Sequence, residues 1–128
     1  MSALDIQIGG SHYRNKGIQP IELIVALNLN FIEGNIVKYI TRYKEKNGVQ
    51  DIMKCIHYSQ LAIELKCIRH NIDIHNNYEL ILQYVKTNDL CSVQTYVLNS
   101  CLQNDYEQVK LLCNEMVKNY NSEKSLNS

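Results

Sequence analysis

The 128-residue sequence lacks the features that mark several large classes of protein. No run of apolar residues approaches the roughly 20 that are needed to span a bilayer. The first residues, MSALDIQIGG, lack the charged and apolar regions of a secretory signal peptide. Thirteen basic residues balance thirteen acidic ones, whereas a general nucleic-acid binder carries a large basic excess. These absences predict a cytoplasmic protein with no membrane partner and no general affinity for nucleic acid.

Common catalytic and metal-binding motifs are also missing. The chain contains no GxxxxGK(S/T) phosphate loop, no GxGxxG and no HExxH. Its five cysteines form no CxxC pair, which favours free thiols in a reducing cytosol over a disulfide or zinc framework. His70 and His75 lack the spacing of a zinc site. A compact phosphate site built by other means remains open.

The apolar residues recur at helical spacing, which predicts an all-α fold. The core is an antiparallel helical hairpin over about residues 31–46 and 50–69, and Asn47-Gly48 ends its first helix in the left-handed region. A short apolar helix with Pro20 at its first position precedes the hairpin. An irregular N-terminal loop comes before that helix.

The chain divides into a first domain over residues 1–70 and a helical extension over residues 71–128. The extension either belongs to the same compact unit or serves as an oligomerisation or lid element. Its helical segments are Tyr78–Lys86, about 90–102 and about 105–119. Asp89 and either Asn104 or Asp105 are the candidate N-caps. Nine tyrosines and the apolar helix after Pro20 favour a homo-oligomer.

Gly34 lies within the first turns of the hairpin, where glycine costs about 1 kcal/mol relative to alanine. Two explanations are open. The glycine either allows the close approach of another helix or a ligand, or it marks the true start of the helix, where free amides point toward an anion.

Basic residues of the hairpin fall on shared helix faces. Lys38 and Arg42 are four residues apart on the first helix, and Lys54 and Tyr58 are four apart on the second. Residues at this spacing are neighbours on a helix surface. Each pair therefore presents its polar groups to one side of the hairpin.

Acidic residues on both helices, Glu33 and Asp51, make the hairpin similar to the all-α nucleoside triphosphate pyrophosphohydrolases of the MazG type, which hold magnesium with a cluster of carboxylates. Here Lys38, Arg42 and Lys54 stand where such a site needs further acids. Cations repel a metal ion and attract phosphate directly. The hydrolase interpretation is weakened accordingly.

A longer string of residues carries a more specific resemblance. It consists of His12-Tyr13, Ile18 to Glu22, Phe31 to Tyr43, Lys46 to Gly48, Asp51 to Lys54, and His57-Tyr58. Together these residues, within about 11–65, resemble a small domain family that is widespread in bacteriophages and often called phage nucleotide kinase. The resemblance implies an oligomeric nucleoside monophosphate kinase that lacks a phosphate loop and makes deoxynucleoside diphosphates.

On this resemblance, phosphoryl transfer needs positive charge around the moving group. The residues assigned to phosphate and to proton transfer are Lys38, Arg42, Lys54, His12 and His57. Those assigned to binding the nucleotide are Tyr13, Arg14, Asn35, Tyr39 and Tyr58. Glu33 and Asp51 either orient the cations or hold Mg²⁺ through water, and no direct metal ligand is assigned.

Two other functions remain open beside the kinase. The same cations also suit a non-catalytic protein that sequesters a nucleotide or a nucleotide-derived signal in phage counter-defence. Alternatively, the helical surfaces form an interaction module that inhibits a host protein. Each of these activities belongs in the host cytoplasm.

Overall fold

The computed structural model describes residues 3–5, 17–67 and 72–126, and all regular structure within these ranges is helical. A 3-10 turn at Ala3–Asp5 is followed by α1 (Pro20–Ala26), α2 (Phe31–Arg42), α3 (Val49–Glu64), α4 (Tyr78–Thr87), α5 (Ser92–Leu102) and α6 (Tyr106–Leu126). The predicted all-α fold is confirmed. None of the helices in these ranges is long and apolar enough to cross a membrane.

Helices α2 and α3 form the predicted antiparallel hairpin, but both are shorter than expected. Helix α2 ends at Arg42 and α3 at Glu64, four and five residues before the predicted ends. Gly48, with φ of 55°, precedes α3 as its N-cap and does not end α2. The cause is Asp51, whose buried carboxylate accepts the backbone N–H of Asn47 at 3.2 Å. This hydrogen bond holds the loop between α2 and α3 against the first turn of α3.

Four helices end on a residue other than glycine in the left-handed region. Asn28, Lys66, Asp89 and Asn104 follow α1, α3, α4 and α5, with φ between 51° and 62°. After each of them, the next backbone N–H donates to the carbonyl five residues before it, at 2.9–3.0 Å. This pattern closes the last helical turn. The prediction that Asp89 is an N-cap is therefore wrong, and of the two candidates before α6, Asn104 and Asp105, Asn104 is not the cap, because asparagine and aspartate also tolerate positive φ.

The actual caps of α5 and α6 lie one or two residues further along the chain. Asp105, the other candidate, caps α6, since its carboxylate accepts the backbone N–H of Gln108 at 3.1 Å. Helix α5 begins after Cys91, whose backbone N–H donates to the side chain of Gln94 at 2.9 Å. The same Gln94 side chain donates to the carbonyl of Ile40 at 2.8 Å. A buried amide therefore joins the start of α5 to α2.

The C-terminal helices pack into the same core as the hairpin. One buried cluster joins α2, α3, α5 and α6, and its fully buried members include Ile36, Ile52, Val97 and Val109. A second cluster joins α1, α2, α4 and α5, with Leu23, Val37, Tyr84 and Leu98 at its centre. Helices α2 and α5 contribute to both clusters. Residues on both sides of the loop after α3 are thus buried against one another.

All five cysteines are free thiols, as predicted. Cys55, Cys101 and Cys113 are buried, whereas Cys67 and Cys91 are half-buried. Burial raises the pKa of the Cys55 thiol well above its usual range, and the neighbouring thiol of Cys113 adds to the rise. Cys55, Cys101 and Cys113 serve as small apolar core residues.

Candidate functional site

Three basic side chains converge on the ring of Tyr39. The Nζ atoms of Lys38 and Lys54 lie 4.5 and 4.7 Å from the ring centroid, and Cζ of Arg42 lies 4.8 Å from it. Lys54 comes from α3 and the other residues from α2, so both helices of the hairpin build the group. We call these four residues the Tyr39 cluster. Attraction between each cation and the π face of the ring holds the charges near one another.

A row of aromatic rings continues from the Tyr39 cluster along the hairpin. Tyr58, one turn after Lys54 on α3, stacks on Tyr39 with centroids 6.2 Å apart and planes at 16°. Phe31, at the start of α2, meets Tyr58 edge to face at 6.0 Å. Its side chain is 75% exposed. An exposed aromatic surface thus adjoins the cations.

The charges in the cluster are only partly balanced. Arg42 donates from Nη2 and Nε to the two carboxylate oxygens of Asp51, at 3.2 and 3.3 Å. Asp51 is completely buried, and the Arg42 side chain is 19% exposed. Within the described ranges, no carboxylate lies within 4.0 Å of the ammonium nitrogen of Lys38 or Lys54. Two positive charges of the cluster are therefore available to an anion.

Glu33, the second assigned carboxylate, caps the start of α2. Its side chain accepts the backbone N–H of Asn30 at 3.0 Å, and the Asn30 side chain accepts the N–H of Glu33 at 2.9 Å. Glu33 lies nine residues before Arg42, about 13 Å along the helix axis. Glu33 therefore acts at the start of α2, whereas Asp51 binds Arg42 at the end of that helix. Among the residues that the structure describes, no group of three His, Cys, Asp or Glu side chains is placed to hold a metal ion.

A recess of about 310 Å³ opens between α1 and α2, beside Lys38. The residues that line this α1–α2 recess are Ile24, Leu29, Asn30, Phe31, Gly34, Asn35 and Lys38. The Asn35 side chain donates from Nδ2 to the carbonyl of Phe31 at 2.8 Å. Because Lys38 and Phe31 also belong to the cation and aromatic groups described above, the recess and the Tyr39 cluster form one continuous surface.

Gly34 lies on this recess, inside α2. The helix begins at Phe31 with Asn30 as its N-cap, so the explanation that Gly34 marks the helix start is wrong. The other explanation is that glycine allows a neighbouring helix or a ligand to approach closely. Helix α1 does pack beside Gly34, but not so closely that a side chain would clash with it. A Cβ atom added at Gly34 would lie 3.5 Å from the side chain of Ile24, which is ordinary van der Waals contact.

Of the remaining assigned residues, His57 is the one that lies in the described part of the chain, and it does not join the cluster. His57 is exposed and lies at the edge of the Tyr58 ring, with centroids 6.1 Å apart. It lines a different recess, between α3 and α6, of about 440 Å³. His12, Tyr13 and Arg14 lie outside the described residues.

Sequence reasoning missed the aromatic and apolar side of the site. Phe31 is the only phenylalanine of the chain, and it was assigned no role. A signal was available, since residues 31, 35 and 38 follow one another at helical spacing and so share a face. The contribution of Ile24 depends on how α1 packs against α2, and the sequence carries no direct signal of that packing.

Comparison with known proteins gives one match. Residues 9–60 match the model of a family described only as a protein of unknown function, DUF3310. This segment includes the Tyr39 cluster, Tyr58 and the α1–α2 recess, and it ends within α3. No curated protein matches the chain, and no solved structure does so.

Proposed function

We propose that this protein binds a nucleotide, with its phosphate held by the cations of the Tyr39 cluster. The observation that carries the proposal is the convergence of Lys38, Arg42 and Lys54 within 5 Å of one ring. Lys38 and Lys54 have no carboxylate partner in the described part of the chain. Each ammonium group attracts an anion, and phosphate is a strong acceptor from such groups.

Two further observations support a nucleotide over a simple anion. The exposed ring of Phe31 and the α1–α2 recess adjoin the cations, so an aromatic base can reach apolar surface while its phosphate contacts Lys38. The resemblance of residues 11–65 to the phage nucleotide kinase family points to the same ligand class. It also supports a phage origin, an oligomeric assembly and action in the host cytoplasm.

Phosphoryl transfer between nucleotides is the second candidate, favoured by the same cations. Positive charge around the transferred group is the main requirement of this reaction. A kinase also needs a group that receives the proton of the attacking hydroxyl. Asp51 is the carboxylate that contacts the cluster, and Arg42 and Asn47 already donate to it. Nucleotide binding is therefore our primary proposal. A bound nucleotide is then either a kinase substrate or a ligand that the protein sequesters.

The test begins with the purified full-length protein. Nucleoside mono- and triphosphates are titrated into it by calorimetry, and the mixtures are then analysed by chromatography. New diphosphate identifies a kinase, released pyrophosphate identifies a hydrolase, and binding without turnover identifies a sequestering protein. If no nucleotide binds, the proposal is refuted and the interaction module is favoured.

Variants of the two unpaired lysines test the site itself. Lys38→Ala and Lys54→Ala should each weaken nucleotide binding roughly 10- to 100-fold, since a charge-assisted hydrogen bond contributes roughly 1.5–3 kcal/mol. Lys118→Ala is the matched control, because Lys118 is an exposed lysine on α6 that pairs with Glu115 at 3.6 Å. Circular dichroism should show the same helicity in all three variants. Unchanged affinity in both Lys38→Ala and Lys54→Ala would remove the cluster as the site.

A further inference from the structure

We infer that the α1–α2 recess receives the base of a nucleoside 5′-monophosphate and that Gly34 keeps this recess open. The inference rests on the proposed function, because it places the phosphate of the same ligand on the Tyr39 cluster. It adds the position of the base and the role of Gly34.

The first argument is that the fold itself does not require glycine at position 34. The residue lies inside α2, and it is absent from the positive-φ residues of the described chain. The nearest atoms to an added Cβ would be those of Ile24, at 3.5 Å or more. Alanine therefore fits, and it is the better helix former. What glycine supplies here is space in the recess.

The second argument is the position of Lys38, which borders both the recess and the cluster. Lys38 follows Gly34 by one helical turn, about 6 Å along the axis. A base that lies over Gly34 therefore has its own phosphate at the near side of the cluster. This short distance between the base and the phosphate fits a nucleoside monophosphate. The recess has a volume of about 310 Å³, which is at the small end of the range for ligand sites.

The third argument is the chemistry of the walls. Ile24 and Leu29 give the recess an apolar side, and the exposed ring of Phe31 offers a face for stacking. The Asn35 amide has a fixed orientation, because its nitrogen must donate to the carbonyl of Phe31. Its oxygen is left as an acceptor for an N–H group of the base. Apolar walls with one directed polar group are typical of a base site.

The experiment compares nucleoside monophosphates with ribose 5-phosphate, which lacks a base. AMP, GMP, CMP and UMP are titrated separately into the full-length protein, and at least one should bind about tenfold more tightly than ribose 5-phosphate. Gly34→Ala should remove most of this difference without lowering the thermal midpoint. Phe31→Ala, which changes an exposed side chain, should reduce the difference while leaving the floor of the recess intact.

Lys54→Ala separates failure of this inference from failure of the proposed function. It should weaken binding of nucleotide and ribose 5-phosphate alike. If Lys54→Ala weakens nucleotide binding but Gly34→Ala and Phe31→Ala do not, the recess is not the base site and the proposed function stands. The same conclusion follows if ribose 5-phosphate binds as tightly as every nucleotide. If neither Lys38→Ala nor Lys54→Ala changes the affinity for nucleotide or ribose 5-phosphate, or if no ligand binds, the proposed function fails and this inference falls with it.

Discussion

Replacing Asp51 with alanine should destabilise the protein while leaving anion binding intact. The carboxylate accepts two hydrogen bonds from Arg42 and one from the backbone of Asn47, all at 3.2–3.3 Å. Removing one partner of a buried ion pair costs about 3–5 kcal/mol. The low end applies here, because the bonds are long and the Arg42 side chain is 19% exposed. We therefore expect a loss of about 3 kcal/mol in the free energy of unfolding.

The loss should be visible by thermal unfolding. For 128 residues, at about 2.1 cal/mol/K per residue, 3 kcal/mol corresponds to a fall of about 11 °C in Tm. Glu64→Ala is the control on the same helix, since Glu64 is exposed and, among the described residues, accepts a bond only from the Gln60 side chain. It should change stability by less than about 0.5 kcal/mol. A loss below about 1 kcal/mol for Asp51→Ala would refute the view that this carboxylate holds the turn of the hairpin.

The same variant also separates the structural charge from the binding charges. Without Asp51, the guanidinium of Arg42 is no longer neutralised, so the cluster becomes more positive. Nucleotide affinity, measured below the lowered Tm, should be equal to that of the unmodified protein or higher. Lys54→Ala should show the opposite behaviour, with unchanged stability and weaker binding. If Asp51→Ala also abolishes binding in the folded protein, then Asp51 belongs to the ligand site.

Four further predictions concern the fold. Asn30→Ala should lower the free energy of unfolding by about 1 kcal/mol in chemical denaturation, because it removes the cap of α2. Tyr84→Phe should cost about 1 kcal/mol by the same measurement, since the buried Tyr84 hydroxyl bonds to Thr41 at 2.5 Å. In thiol labelling near neutral pH, Cys67 and Cys91 should react in the folded protein, and the buried Cys55, Cys101 and Cys113 only on unfolding. Because burial raises the pKa of Cys55, the folded state disfavours its thiolate, and stability should fall as the pH rises above about 8.5.

Local signals in the sequence were sufficient for the helices and for part of the site. Apolar spacing located the hairpin, and Pro20 stands at the first position of α1 as expected. Spacing also placed Lys38 with Arg42 and Lys54 with Tyr58. These features depend on one helix at a time, which is why a period of 3.6 residues was enough to predict them.

The features that sequence reasoning missed depend on contacts between helices. Asparagine is favoured both as an N-cap and in the left-handed position after a helix, so the identity of Asn104 does not distinguish the two. The direction in which the backbone leaves α5 determines which one it occupies. The central place of Tyr39 depends on the register of α3 against α2, which Asp51 helps to set from the first turn of α3. The α1–α2 recess exists only once α1 has packed beside Gly34. None of these relations has a fixed spacing along the chain.

The Tyr39 cluster is positively charged because the acidic side chains of the hairpin interact with groups other than its two lysines. The chain carries equal numbers of acidic and basic residues, so composition alone predicts no attraction for anions. Glu33 caps α2, and Asp51 is buried against Arg42 and the turn. Because Glu33 and Asp51 serve the backbone and the turn, they do not pair with Lys38 or Lys54, and no other carboxylate in the described ranges lies within 4.0 Å of either ammonium group. A protein without net charge can thus carry a local group of positive charges, and such a group suits a single phosphate better than a nucleic-acid strand, whose binding needs an extended basic surface.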